Sequence, residues 1–342
     1  MNDLKYIIKL LSESKTLSEQ QSQDAFSRIM SGQVDLTQMS AFVMAMRVRG
    51  ETVDEITGGA RVLRAKAVKV SVPEGSVDTC GTGGDGTGTY NISTASAIVT
   101  AACGVPVAKH GNKSVSSKSG SADVLASLGI AFNLPLKAQE QALRELGIAF
   151  LYAPQHHKAM RHVGPVRSSL GIRTIFNLLG PLANPAMARR QLLGVFDRKW
   201  LRPMTEVLHR LGSEHVWTVH GSDGLDELTT TGETYVTELK DGVINDFVIT
   251  PEEVGIKRST MADLQGGEAE ENAGALLEVL SGKPSAYRDI VLLNTGAALV
   301  IGNKANNIKD GVEMAAEAID SKKADQLLKK WIAFTQEHTE ET

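Results

Sequence analysis

The sequence predicts an α/β protein in two unequal parts: a small all-helical N-terminal domain and a large α/β domain with a mostly parallel central sheet. Three observations predict it. Residues 1–72 place apolar side chains at helical spacing between helix caps and carry no strand pattern. From residue 73 onward, past the break at Ser71-Val-Pro-Glu-Gly75, short β-rich runs alternate with helical stretches, the signature of a parallel sheet covered by helices. Loops rich in glycine, serine and threonine follow the first two of those runs, where open sheets of this kind bind ligands.

In the helical part, Leu4, Ile7, Ile8 and Leu11 form one buried stripe. Ser18 with Gln21 is a capping box before a second helix bearing Ala25, Phe26, Ile29 and Met30, which Gly32 follows. A third helix starts at Thr37 and passes Phe42, Met44 and Val48 to stop at Gly50; its Met39, Met44 and Met46 read as packing residues. Thr52 with Glu55 caps a fourth. Beyond the break the pattern predicts a strand at 77–80, a helix at 93–102, a strand and loop at 105–111 and a helix at 122–128. Further strands are expected at 148–151, 192–195, 216–219 and 290–293. Residues 228–260 alternate with period two around Lys240-Asp-Gly242, which predicts an inserted β-hairpin.

Composition narrows the function. The 342 residues include 36 Lys plus Arg against 40 Asp plus Glu, a net charge of −4, which argues against a broad nucleic-acid surface but leaves room for a local basic pocket. Hydrophobic residues make up 42% and charged residues 22%, values of a folded chain. Cys80 and Cys103 are the only cysteines, so no disulfide framework is expected and a reducing compartment is the default. The first apolar stretch is interrupted by Lys5 and Lys9, and no apolar run approaches the roughly 18 residues of a membrane span. A cytoplasmic protein without membrane or nucleic-acid partners is expected.

Gly81, Gly83 and Gly86 satisfy the dinucleotide pattern G-x-G-x-x-G, yet the acid it needs about 20 residues later is missing. After Asp85 the next acid is Asp123, and Lys109 and His110 stand near the expected place. A P-loop is absent too, because Gly111-Asn-Lys-Ser114 lacks a glycine directly before Lys113. What remains is Gly81, Gly83, Gly84, Thr87, Gly88, Thr89, Ser93 and Thr94 at a helix entrance. Glycines let backbone N–H groups approach an anion, hydroxyls donate further bonds, and the helix end adds positive potential. The bland reading is a surface loop with an N-cap at Ser93 or Thr94. A second cluster sets Lys109, Lys113 and Lys118 among Asn112, Ser114, Ser116, Ser117, Ser119 and Ser121. Two phosphate cradles imply a ligand phosphorylated at both ends. Asp226 and Glu227 follow the strand at 216–219 and suit magnesium opposite a pyrophosphate. His156, His157 and His162 lack the partners of a zinc site.

The segments GTGGDGTGTYNIST, KHGNKSVSSKSGSADVL, GPVRSSLGIRTIFNLLGPLANP, VHGSDGLDEL and RDIVLLN, in this order, closely resemble the signature segments of anthranilate phosphoribosyltransferases, of the nucleoside phosphorylase-like phosphoribosyltransferase family. The resemblance implies transfer of phosphoribose from phosphoribosyl pyrophosphate (PRPP) to the amine of anthranilate, in tryptophan biosynthesis. It implies a homodimer joined through the helical domains, with residues 165–185 returning to that domain as a hinge. It assigns PRPP to Gly81, Gly84, Asp85, Thr89, Asn91, Ile92, Ser93 and Thr94, and to Lys109, His110, Gly111, Asn112, Lys113, Ser114, Val115, Ser116, Ser117 and Ser121. It assigns anthranilate to Gly81, Asn112 and Arg167, with His110 and His157 as further candidates. A pair of magnesium ions falls to Ser93, Asp226 and Glu227. Lys109, Lys118 and Arg167 would act by positioning and charge stabilisation, without an obligatory general base. Ala126 and Lys158 depart from the family pattern, the first on a helix flank and the second near the expected aromatic-acid entrance. Two alternatives stay open: a pyrimidine nucleoside phosphorylase on the same scaffold, and a non-enzymatic nucleic-acid-binding relative.

Overall fold

A computed structural model describes residues 4–113 and 118–339; Ser114, Val115, Ser116 and Ser117, assigned above to the phosphates, lie outside the described residues. The N-terminal portion consists of α1 (Leu4–Ser12), α2 (Glu19–Met30), α3 (Leu36–Arg49) and α4 (Val53–Lys66). Both capping boxes form: Ser18 N donates to Gln21 Oε1 at 2.9 Å, and Thr52 N donates to Glu55 Oε2 at 2.9 Å. Helix α3 starts one residue earlier than its pattern suggests, because Asp35 Oδ1 accepts the Gln38 N–H at 2.9 Å and caps it. Met39 and Met46 are buried in the core, as packing residues should be. Phe26 meets Phe42 and Phe176 edge-on, at 5.6 and 5.8 Å between centroids. Phe176 belongs to the segment 165–185, whose Val166, Ile175 and Leu179 share this core with α2, α3 and α4.

Glu55 is the electrostatic pin of the helical portion. Fully buried, it accepts from Leu17 N at 2.8 Å and from Thr52 N, and it pairs with Arg49. Removing one member of such a pair leaves the other desolvated and uncompensated. Glu55→Ala is therefore expected to lower unfolding free energy by about 3 kcal/mol in urea denaturation, with Glu55→Gln losing less because its carbonyl still accepts a backbone bond.

The α/β portion is built on β1 (Val77–Gly81), β2 (Val107–Gly111), β3 (Ile148–Tyr152), β4 (Arg190–Gly194), β5 (His215–Gly221), β6 (Thr234–Lys240) and β7 (Val243–Ile249). The sheet order is β3-β2-β1-β4-β5-β6-β7, parallel from β3 to β5 and antiparallel at β6 and β7. The hairpin expected in 228–260 is present, with Asp241 and Gly242 at φ +51° and +79° in its turn. It extends the main sheet by pairing β6 with β5.

One strand assignment is corrected. Residues 290–293 lie inside the helix Ala286–Ile301, capped by Ser285 Oγ accepting from Arg288 N at 3.1 Å. Every residue from Ile290 to Ile301 in that helix is buried, so its apolar run has no polar face to reveal the helical period.

The topology locates a crevice. The chain runs outward from β1 through β2 to β3, then places β4 on the other side of β1. Strand order reverses between β1 and β4, and in open sheets ligands bind beyond the carboxyl ends of strands at such a point.

Candidate active site at the strand-order reversal

Strands β1 and β4 end in Gly81 and Gly194, and the loop after β5 folds Asp226 and Glu227 directly over both ends. A Cβ on Gly81 would lie 2.3 Å from Asp226 Oδ2, and one on Gly194 only 1.5 Å from the Asp226 carbonyl oxygen. Only glycine permits this approach. Asp226 Oδ2 then accepts the Gly83 N–H at 2.7 Å, and Glu227 Oε1 accepts the Ser93 N–H at 3.2 Å. The glycine-rich loop is held elsewhere too: Phe196 N donates to Thr82 Oγ1 at 3.0 Å, and Gln265 Nε2 donates to Thr87 O at 2.9 Å. Asp85 turns inward on its own loop, accepting from Thr87 N and Thr87 Oγ1 at 3.1 and 2.8 Å.

Helix α5 (Ile92–Ala102) enters from this loop, and its N-cap is Asn91, not the Ser93 or Thr94 that the surface-loop reading requires. Asn91 makes no capping bond. Its Nδ2 donates to Ser119 O at 3.3 Å and its Oδ1 accepts from Asn272 Nδ2 at 3.0 Å, tying the two serine- and glycine-rich loops together. The first N–H groups of α5 are taken within the protein, Ile92 by Tyr90 O, Ser93 by Glu227, and Thr94 and Ala95 by Asn91 O. Thr94 is buried beside it with its hydroxyl unpaired among the described residues.

The lysines divide. Lys113 and Lys118 are exposed. Lys109, expected beside them on an anion-facing surface, is instead 1% exposed; its Nζ donates to Thr79 O at 2.5 Å and to Ser93 Oγ at 3.2 Å. The reason is strand alternation: in β2, Lys109 points beneath β1, toward Asp78 and the acid pair. The half-buried Gly111 ends β2, Asn112 beyond it is exposed, and half-buried Ser121 opens α6 (Ser121–Ser127).

His110 and His157 meet edge-on at 5.2 Å, both buried, near the backbone of Gly180 and Ala183. Burial drives the His110 pKa well below the usual imidazole range, and it pushes that of His157 down to about 4, so both are neutral at pH 7. Arg167 sits half-buried on the helix Gly164–Leu170, against α3, and its guanidinium has no hydrogen-bond or ion-pair partner among the described residues. Its desolvation lowers its pKa without a carboxylate to offset it. Ala126 and Lys158 are both exposed.

Asp226 and Glu227 both have pKa values raised by desolvation first, then by neighbouring carboxylates including Asp85. Adjacent desolvated acids with a hydroxyl, Ser93, beside them fit a hard divalent cation. No three acidic, histidine or cysteine side chains converge on one point among the described residues. The protein thus offers a partial oxygen shell, the kind magnesium completes with water and phosphate oxygens.

Thr82 falls within the glycine-rich segment already singled out, whereas Gly194, Asn272 and Gln265 shape this site without any motif of their own; the single sequence signal is that Gly194 lies in the strand expected at 192–195.

Fold and site together define a glycosyl transferase with a helical bundle and an a/b domain: the "Glycosyl transferase family, helical bundle domain" matches residues 5–67, and the "Glycosyl transferase family, a/b domain" matches residues 74–325. The anthranilate phosphoribosyltransferase of Azospirillum brasilense is 56% identical over 98% of this chain and 94% of its own length. The crystal structure of that enzyme from Thermus thermophilus superposes with a TM-score of 0.91 at 42% identity, covering 96% of this chain and 99% of its own. The Saccharomyces cerevisiae enzyme in complex with PRPP and Mg matches with a TM-score of 0.90 at 29% identity over 98% of both chains, and has also been solved with 4-fluoroanthranilate. This chain belongs to the anthranilate phosphoribosyltransferases, a family of pentosyl-transferring enzymes.

Proposed function

We propose that this protein transfers the phosphoribosyl group of PRPP to the amine of anthranilate, giving N-(5-phosphoribosyl)anthranilate and diphosphate, in tryptophan biosynthesis. The observation that carries it is the closure of Asp226 and Glu227 over Gly81, Gly83 and Ser93 at the strand-order reversal. Both substrate classes named for the yeast relative's complexes fit the residues here.

Backbone N–H groups of the glycine-rich loop receive phosphate oxygens. Ser93, Asp226 and Glu227 are the residues that would hold magnesium, a pair of ions per site, which when bound supplies positive charge against the departing pyrophosphate. Arg167 offers a planar fork for the carboxylate of anthranilate. His110 and His157, the further candidates for anthranilate, are neutral, so Arg167 is the cation among the residues assigned to it. The aromatic amine is uncharged at neutral pH and already nucleophilic, so positioning and leaving-group stabilisation suffice. The family resemblance supports a homodimer joined through the helical portion. No helix among the described residues is long and apolar enough to cross a membrane. A cytoplasmic enzyme accords with the thiol-only cysteines.

Mixing protein, anthranilate, PRPP and Mg²⁺ should extinguish anthranilate fluorescence; no loss at micromolar enzyme sinks the proposal. Changing Asp226 and Glu227 to amides is expected to raise the magnesium concentration for half-maximal rate by about tenfold or more, since each lost charge-assisted contact is worth roughly 1.5–3 kcal/mol. An unchanged magnesium titration removes them from the metal site.

A further inference from the structure

We propose that Asn294, the last residue of the RDIVLLN segment, is a positioning residue for the magnesium site: it fixes the peptide joining Glu227 to Leu228 and thereby aims the acid pair. The inference deepens the active-site reading above and rests on it.

Asn294 lies inside the helix Ala286–Ile301, fully buried in a mostly apolar run. Asparagine is a poor choice there on two counts: it favours caps over helix interiors, and a buried amide must find partners. Its partners are specific. Oδ1 accepts from Leu228 N at 3.0 Å, and Nδ2 donates to Leu228 O at 2.8 Å and to Ile290 O at 2.9 Å. The amide thus pairs with both backbone groups of one residue, as a neighbouring strand would. A leucine at 294 would leave those two buried groups without a partner among the described residues. The Leu228 N–H belongs to the peptide plane that begins at the Glu227 carbonyl. Holding it therefore sets the direction in which Glu227 leaves the backbone.

The same helix holds the other side of the site. Tyr287, seven residues earlier, donates from Oη to Asn91 O at 3.2 Å, and Asn91 caps the turn of α5 that carries Ser93. Residues seven apart share a helical face and are about 10 Å apart along the axis. The helix therefore spaces the acid loop against the entrance of α5, and the Ser93 N–H meets Glu227 Oε1 between them. The acid loop is stiffened internally, which makes Leu228 an effective handle. Gly221 N donates to Leu225 O at 2.9 Å, and Asp223 accepts from Leu225 N, Thr229 Oγ1 and Thr231 Oγ1. Displacing Leu228 moves a braced segment and not one side chain.

Calorimetry tests this without the reaction: inorganic pyrophosphate in excess Mg²⁺ is titrated into the protein. Asn294→Ser and Asn294→Ala are each expected to weaken binding about tenfold, the scale for residues that orient a metal's ligands. Serine is the milder change, because its hydroxyl can return to Ile290 O, four residues back, while both Leu228 bonds are lost. The magnesium concentration for half-maximal rate should rise in parallel, with KM for anthranilate within about twofold of wild type. Glu55→Ala, destabilised in the helical portion, controls for lost stability and should bind magnesium pyrophosphate as wild type does. Wild-type affinity in both Asn294 variants, whatever their melting temperatures, overturns the proposal and leaves the active-site reading intact. The expected loss of affinity in a protein that consumes no anthranilate supports the proposal and overturns the transfer reading. A wild-type protein that binds no magnesium pyrophosphate overturns both.

Discussion

Gly194→Ala is expected to lower kcat/KM by about 100-fold or more, the scale on which ångström-size misplacement of reacting groups is felt. The added methyl would stand 1.5 Å from the carbonyl oxygen of Asp226, a backbone atom that no rotamer change can move aside. Relieving the contact requires the acid loop to retreat by nearly 2 Å, to reach the roughly 3.5 Å of ordinary packing. Retreat breaks the Asp226–Gly83 and Glu227–Ser93 bonds, which set the glycine-rich loop and the entrance of α5. Overpacking of this kind also costs about 1–3 kcal/mol of stability, so thermal melting should accompany the kinetics. A variant that keeps activity within about threefold would show that the acid pair does not depend on this approach.

Arg167→Ala is the second large effect. KM for anthranilate should rise about 30-fold, corresponding to about 2 kcal/mol for a charge-assisted fork, while KM for PRPP changes by no more than about twofold. Arg167→Lys should recover only a fraction of the loss, because an ammonium cannot present two parallel donors to a carboxylate. The selectivity follows from the surroundings: the Arg167 guanidinium has no protein carboxylate to satisfy among the described residues. Equal rises in both KM values would contradict the assignment.

The helical portion was legible because its signals are local. Ser18 with Gln21, and Thr52 with Glu55, carry their own geometry within one turn, and both boxes form. The parallel strands were legible from their short apolar runs, except where burial removed the contrast. The run at 290–293 has the composition of a strand and the surroundings of a central helix; its length and its cap at Ser285 decide the matter. Asp35 starts α3 through its side chain, a cap that the apolar pattern, beginning late there, does not mark.

The active site divides in the same way. Glycine, hydroxyl and acid types at 81–94 and 226–227 announce phosphate and cation chemistry in any order of folding, since backbone approach and oxygen donors are properties of those residues. Nothing local distinguishes Lys109 from Lys113 and Lys118. Strand alternation sends Lys109 under β1, into contact with Thr79 and Ser93, and leaves the others at the surface.

Apart from the run at 290–293, the sequence by itself determined the types of the elements it marked, the division into a helical and an α/β portion, and the class of ligand, because caps, periodicity and side-chain chemistry act over a few residues. Only the tertiary structure decided which groups meet. Gly194 and Asp226 are far apart in the chain, and their contact exists because β4 pairs with β1 on one side and β5 on the other. Of three lysines in ten residues, Lys109 alone is buried against Thr79 and Ser93 for the same reason: the sheet, and not the chain, chooses its neighbours.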